Sequence, residues 1–290
     1  MINTPKHLAW ILKVDLKEIN SIILNIDKYY REKKLIKTDK FGKPKLDNEG
    51  NPRVRIINPS INRLKVIQKR IQRNILLDLE MPEYCFGAVK GKDNIQNAKK
   101  HQGKRYKFTT DLKDFFPSIT NTQVFEMFGK NGFSPTISRI LTKLTTYKGK
   151  IPQGAPTSST IANLVFIKTG NDLEFFSKKN NIIFSSFVDD LTFSSAKDFK
   201  DKTEEILDLI IKGGFKISHK KTYYSRNPII TGLLSMNNHL KLPKSFIEKL
   251  ENKEYKSLEQ INGLLRYRNR VNEINYCNKR QETQPDFNGK

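Results

Sequence analysis

Residues 182–195, IIFSSFVDDLTFSS, constrain this chain more than any other stretch. Two apolar runs rich in Ile, Phe and Val flank the adjacent carboxylates Asp189 and Asp190. β-Branched and aromatic residues favour strands, and Asp favours turns. The segment therefore reads as a hairpin with two aspartates at its tip. Adjacent carboxylates repel each other and call for a cation. Taken alone, the pair reads first as a plain turn.

Other segments add to it. Tyr106, Phe108 and Thr110 alternate, which predicts a strand over 105–110 ending at Asp111. A strand-end carboxylate beside a hairpin-tip pair suits a site for two Mg²⁺ ions about 4 Å apart, which can activate a 3′-hydroxyl and stabilise leaving pyrophosphate. Mg²⁺ takes hard oxygen ligands, here Asp111, Asp189, Asp190 and the Leu112 carbonyl. Asp114 is a candidate fourth ligand but reads more readily as a surface or hydrogen-bonding residue. Residues 151–159, IPQGAPTSS, predict a turn in which Gly154 admits close backbone approach, followed by hydroxyls that cap the next helix.

Composition narrows the partner. The 290 residues hold 53 Lys and Arg against 30 Asp and Glu, a net charge of +23. Residues 28–73 carry 15 basic residues and four acidic ones, and residues 90–107 carry seven against Asp93 alone. Such surfaces fit a polyanion bound by counterion release, or else simply a solvated basic face. No run of about 18 apolar residues exists, and no basic leader precedes an apolar block, so neither a membrane span nor a signal peptide is expected. Two cysteines, Cys85 and Cys277, make no disulfide framework, which points to a reducing cytoplasm.

Periodicity predicts helix over 5–35, a turn-rich segment over 38–52 and a strand at 53–57. A helix follows Ser60, its expected N-cap, and others open at Thr120 and near Ser158. Residues 198–212 read as helix, 215–218 and 222–235 as strands, 244–272 as one or two basic helices, and the last dozen residues as a polar tail. Strands and helices without a βαβ rhythm imply an α+β fold.

Asp-x-x-x-x-Phe at 111–116, then PQGAPTS, then Phe187-Val188-Asp189-Asp190 resemble motifs A, B and C of reverse transcriptases, in that order. Gln153 follows Asp111 by 42 residues, and Asp189 follows Gln153 by 36. PRVRIINPSINRLKVIQKRI is similar to the fingers segment of that family, GFKISHKKT to motif D and ITGLLSMNNHLKLP to the primer grip. Within the family the chain most resembles bacterial retron enzymes, whose N-A-x-x-H motif reads here as Asn97-Ala98-Lys99-Lys100-His101 and whose V-T-G reads as Ile230-Thr231-Gly232. Three positions depart from the pattern. Phe187-Val188 stands where Tyr-Ala is commoner, Ile230 replaces Val, and Val54 stands where the fingers Arg is usual, between Arg53 and Arg55.

The resemblance implies a right-hand polymerase, with N-terminal helices and fingers over 1–104, palm over 105–237 (120–150 returning toward the fingers) and a small helical thumb with the tail over 238–290. It implies catalytic Asp111, Asp189 and Asp190, and a nucleotide pocket of Arg53, Arg55, Phe116, Gln153 and Lys221. Phe116 would lie under the incoming sugar and exclude a 2′-hydroxyl, leaving Phe115 to the core. Asn97, His101, Thr231, Arg266 and Arg270 would contact RNA. The implied partners are a structured non-coding RNA acting as template and primer, deoxynucleotides, the RNA/DNA hybrid product and a separate effector protein in antiphage defence. Alternatives are another bacterial reverse transcriptase, of group II intron-like, diversity-generating or abortive-infection type, or a non-catalytic RNA-binding scaffold.

Overall fold

The structure is a computed structural model that describes residues 2–39, 42–252 and 257–282. Lys253, Lys256 and most of the expected tail lie outside those residues, as does the side chain of Cys277. Cys85 is a buried free thiol. Among the described residues no helix is long and apolar enough to cross a membrane.

The expected N-terminal helix is broken. Helices α1 (Pro5–Leu12) and α2 (Leu16–Leu24) meet at Lys13, which sits in the left-handed region at φ 49 and closes α1 by donating to the Ala9 and Trp10 carbonyls. Side chains of Thr4 and Asp15 cap the two starts. Strand β1 (Lys33–Ile36) then pairs antiparallel with β2 (Val54–Ile57), Leu35 facing Arg55 and Ile36 facing Val54. This two-stranded ribbon is exposed on both faces. Helix α3 (Asn62–Asn74) follows, but Ser60 does not cap it. Ile61 holds the N-cap position, and Ser60 is buried.

Helix α4 (Asn94–Lys100) precedes β3 (Tyr106–Lys113), the central strand of the main sheet. β3 runs two residues past Asp111 rather than stopping there, because Leu112 and Lys113 still find partners in β6 (Lys216–Ile217). Its other edge pairs with β5 (Asp190–Ser195), which pairs in turn with β4 (Ile183–Phe187). β7 (Tyr223–Ser225) joins β3 at Lys107–Thr109. All these pairings are antiparallel.

The helices between these strands are α5 (Phe115–Ser118), α6 (Asn121–Lys130), α7 (Pro135–Thr145), α8 (Ser158–Lys179) and α9 (Thr203–Lys212). A capping box between Thr120 and Gln123 starts α6. No side chain caps α8. Its first hydroxyl, Ser158 Oγ, turns back 2.6 Å to the Pro152 carbonyl and braces the preceding turn instead. Ile161, Ala162 and Phe166 of α8 join Phe108, Leu112, Phe184 and Phe193 of the sheet in one core that extends to the N-terminal helices. Burying such side chains is worth about 1.5–3 kcal/mol each.

The C-terminal part has its own smaller core. Strands β8 (Ile229–Ile230), β9 (Leu233–Ser235) and β10 (Leu240–Lys241) form a ribbon covered by α10 (Lys244–Glu251) and α11 (Leu258–Glu282). Ile95 and Ala98 of α4 complete this core, so α4 packs with the C-terminal part although it lies within residues 1–104.

Candidate active site

The antiparallel register decides where the carboxylates meet. Asp111 on β3 faces Asp190 on β5, and the Leu112 amide donates to the Asp189 carbonyl at 2.9 Å. The turn between β4 and β5 is tight enough to hold Val188 at φ 59. For a β-branched residue that is a strained backbone, of order 1–3 kcal/mol. Strain of this kind persists only where the surroundings over-determine it.

Those surroundings are visible. A Cβ on Gly87 would lie 2.8 Å from the Val188 amide nitrogen and 2.7 Å from its Cγ2, so only glycine lets the 84–87 segment pass under the turn. That segment pairs with β4 through the Phe86 amide to the Ser186 carbonyl and the Ser186 amide to the Tyr84 carbonyl, both 2.8 Å. From α8 the buried Asn163 donates to the Gly87 carbonyl at 2.6 Å. Sequence reasoning missed Gly87 and Asn163. The pairing joins residues 76 apart, and its only local signal is a glycine after Phe86.

The turn opens on a cleft of about 1150 Å³. Its lining brings together Arg53, Arg55, Asp111, Leu112, Phe116, Gln153, Asp189 and Lys221. Asp190 stands beside it on β5. Both Phe115 and Phe116 border the cleft, but Phe115 is buried and packs edge-on against Phe166 at 6.0 Å, whereas Phe116 is only partly buried. Asp114 also lines the cleft, at φ 52, where the chain leaves β3 for α5. Gln153 faces the cleft from the 151–156 turn, and its carbonyl accepts the Asn58 amide at 2.8 Å, tying the β1–β2 ribbon to that turn. Gly154 sits at φ 94, in the left-handed region that favours glycine, and a Cβ there would lie 3.7 Å from Pro59.

Charge is distributed unevenly here. Lys221 Nζ lies 2.6 Å from Asp111 Oδ2. Desolvation works against the Lys221 ammonium, but the hydrogen bond it donates to Asp111 and the field of all three aspartates outweigh it and raise its pKa. Burial raises Asp189, with Asp111 adding to the rise, while Lys221 and Arg55 pull the other way. Burial, then Asp189 and Asp111, push Asp190 up to about 6. Three carboxylates are thus held closer than their charges favour. Their hard oxygens and shared deficit of positive charge fit a divalent cation. Among the described residues no three His, Cys, Asp or Glu side chains form a ready-made metal cage. The Lys221 ammonium is the cation resting on Asp111 in this state.

The residues expected to touch RNA divide. Asn97 and His101 are fully buried, so neither side chain reaches a surface where RNA could bind. His101 donates and accepts within the protein, its ring nitrogens 2.7 Å from Ser194 Oγ and Ser185 Oγ. Asn97 Nδ2 lies 3.3 Å from Thr231 Oγ1, and that hydroxyl donates to the Asn94 carbonyl at 3.0 Å. Thr231 therefore points its polar atom inward. Only the tertiary fold buries these two polar residues, Asn97 and His101. Arg266 and Arg270 are exposed on α11, and Arg270 is ion-paired with Asp93.

A family model for the reverse transcriptase (RNA-dependent DNA polymerase) matches residues 6–258. The chain is similar to the Retron Ec86 reverse transcriptase of Escherichia coli, at 30% identity over 227 residues, covering 78% of this chain and 68% of that protein. It is also similar to the Retron Se72 reverse transcriptase of Salmonella heidelberg (strain 579083-10), at 35% identity, covering 69% of this chain and half of that protein. A third relative, the Retron Mx162 reverse transcriptase of Myxococcus xanthus, is 27% identical over 250 residues, covering 69% of this chain and 52% of that protein.

Proposed function

Since the chain belongs to the reverse transcriptase family, in its retron type, we propose that it is an RNA-directed DNA polymerase that copies part of a structured non-coding RNA into single-stranded DNA. The observation that carries this reading is the single cleft that gathers Asp111, Asp189, Lys221, Arg53, Arg55, Phe116 and Gln153 from five separate stretches of chain. A reverse transcriptase domain implies the right-hand polymerase fold. On that plan residues 1–104 supply the N-terminal helices and fingers, 105–237 the palm (120–150 returning toward the fingers) and 238–290 the thumb and tail, with the α4 packing already described crossing the first boundary.

Asp111, Asp189 and Asp190 would hold the divalent cations that reverse transcriptases use, and Mg²⁺ suits their hard oxygens. When bound, such ions supply the charge that lowers the pKa of a primer hydroxyl and offsets charge on departing pyrophosphate. The protein's own groups do the rest. Asp111 and Asp190 are fixed across one register pair, so their separation does not depend on side-chain luck. Arg53 and Arg55 bring positive charge over a triphosphate from the ribbon. Were Asp111 to hold a cation, the Lys221 ammonium now paired with it would be free to meet a phosphate in the same cleft. Phe116 lines the same cleft, and against its ring a ribose 2′-hydroxyl would find no hydrogen-bond partner, which favours deoxynucleotides. Two-ion chemistry, deoxynucleotide substrates, a dedicated RNA and a separate effector in antiphage defence all belong to this proposal.

The test is purification from the native locus followed by a denaturing gel after RNase, DNase or neither. A discrete DNA band that shifts after RNase is the expected result, since it means DNA joined to RNA. RNA that extends on addition of deoxynucleotides and Mg²⁺ supports the polymerase without the retron product. RNA that never extends overturns the enzymatic reading in favour of a scaffold.

A further inference from the structure

Two motifs do no work in the cleft: Asn97–His101 and Ile230-Thr231-Gly232. They meet each other instead. Helix α4 has one face in the smaller core, where Ile95 and Ala98 pack with Ile230, Leu233 and Val271. Its C-terminal end is pinned to the main sheet, because His101 bridges Ser185 on β4 and Ser194 on β5. Those are the two strands whose turn carries Asp189. Burial, helped by Lys100 and Lys107, pushes His101 down to about 3, so the ring is neutral and offers one donor and one acceptor to two hydroxyls.

The same helix grips the C-terminal part. Asn94 Nδ2 donates to the Thr231 carbonyl at 2.9 Å and to the Tyr267 hydroxyl of α11 at 2.6 Å. The Thr231 hydroxyl donates back to the Asn94 carbonyl and meets Asn97 Nδ2. Asp93, the N-cap of α4, is ion-paired with Arg270 of α11. Thr231 sits at φ 44, a strained setting for a β-branched residue that three converging hydrogen bonds hold in place.

We infer that α4 is a joint that fixes the angle between α11 and the aspartate turn, with Asn94, Asn97, His101, Thr231 and Tyr267 as positioning residues and not as RNA contacts. The role given to α11, tracking the duplex whose end must reach Asp189, rests on the polymerase reading. The joint itself does not. An α11 that is not held in place must be ordered when a duplex binds, and that ordering is taken out of affinity, so a polymerase needs such a joint.

Tyr267→Phe deletes one hydroxyl and keeps the ring. Thr231→Val deletes the other hydroxyl and keeps the β-branch, hence the backbone strain, and Thr231→Ser restores the hydroxyl. Each is tested in the full chain by amide hydrogen exchange over 258–275 and by extension of an RNA template annealed to a DNA primer. We expect Tyr267→Phe and Thr231→Val to lose protection along α11 and to raise the KM for the duplex about 3–10-fold, the worth of one hydrogen bond. Thr231→Ser should behave as the parent, and kcat for single-nucleotide addition by Tyr267→Phe should stay within about twofold, since that hydroxyl lies outside the cleft. Unchanged protection of α11 in both deletion variants overturns the inference. So does a raised KM with α11 protection intact, which means direct nucleic-acid contact. Parallel loss of kcat and KM that Thr231→Ser fails to restore means general destabilisation and also overturns it. If the parent extends nothing while α11 protection still responds, the polymerase reading fails and the joint stands.

Discussion

The two walls of the cleft are built on opposite principles. One carries Asp189 on a sealed hairpin, β4 and β5: Ser185, Leu191, Phe193 and Ser194 have no exposed surface, and the turn they carry is strained. The opposite wall, β1 and β2, has no core of its own, and Ile36 and Ile56 are each about half exposed. On the proposed reading, carboxylates whose separation must hold to a fraction of an ångström stand on the sealed wall. Arginines that need only supply a field stand on the open one. A two-stranded ribbon with few buried contacts belongs to the low-stability end of a structure, which suits a wall that must admit and release a substrate. Its fixed point is the Asn58–Gln153 backbone bond.

This contrast predicts that lesions in the sealed wall cost rate and lesions in the ribbon cost affinity. The largest effect is expected from Asp189→Asn. Loss of one oxygen charge at the centre of the cleft should lower single-turnover incorporation by about 10²–10³ or more, with the fold intact by circular dichroism. Incorporation at the parental rate would remove this site from the chemistry. Gly87→Ala comes next. The new methyl meets Val188 backbone, which cannot give as a flexible side chain would, so the turn must shift. Overpacking of this kind costs about 1–3 kcal/mol of stability, and the displaced aspartates should cost about a hundredfold in kcat. Parental kcat in a folded Gly87→Ala protein would show that the close approach does not position the turn.

How much of this was legible follows from distance along the chain. The cleft was, because each motif is local and the family resemblance orders them: Asp111, Gln153 and Asp189 do line one space. Its supports were not. Gly87 meets Val188 across a hundred residues, and nothing near either one announces the other. His101 was expected to contact RNA, and only the pairing of β4 with β5 creates the two serine hydroxyls that enclose it. The Lys13 break in the first helix escaped because a single left-handed residue leaves periodicity intact on both sides. The extra reach of β3 escaped because its partner, β6, lies a hundred residues on.

On the open wall, Arg53→Ala and Arg55→Ala should each raise the deoxynucleotide KM about tenfold or less and leave the melting temperature unchanged, because neither side chain is packed. Arg55 should matter more. Its charge reaches Asp189, and no comparable influence of Arg53 on the aspartates is seen. Steady-state kinetics at two salt concentrations check this, since an exposed charge weakens as salt rises. Equal effects on kcat and KM would mean that the ribbon, too, positions the chemistry, and the contrast between the walls would collapse.

The smallest effect concerns stability and inverts the usual sign. Asp190 ionises less readily in the folded protein than in an unfolded chain, its pKa rising from an ordinary 3.8 to about 6. A raised carboxyl pKa means that the folded state binds its proton more tightly. The stability this contributes is complete below about pH 4 and is lost as pH rises through 6. At pH 8 the parent therefore carries the full repulsion among Asp111, Asp189 and Asp190. Asp190→Asn should then melt higher than the parent at pH 8 by at most about 2–4 °C, and the gain should shrink to nothing near pH 4. Millimolar Mg²⁺ should reproduce part of that gain in the parent at pH 8, because a ligand bound only to the folded state stabilises it. It should do less in Asp190→Asn, from which one donor charge is gone. A variant that melts lower at pH 8 would mean that Asp190 is held by partners it gains from, and the sealed wall would then be strained in its backbone alone.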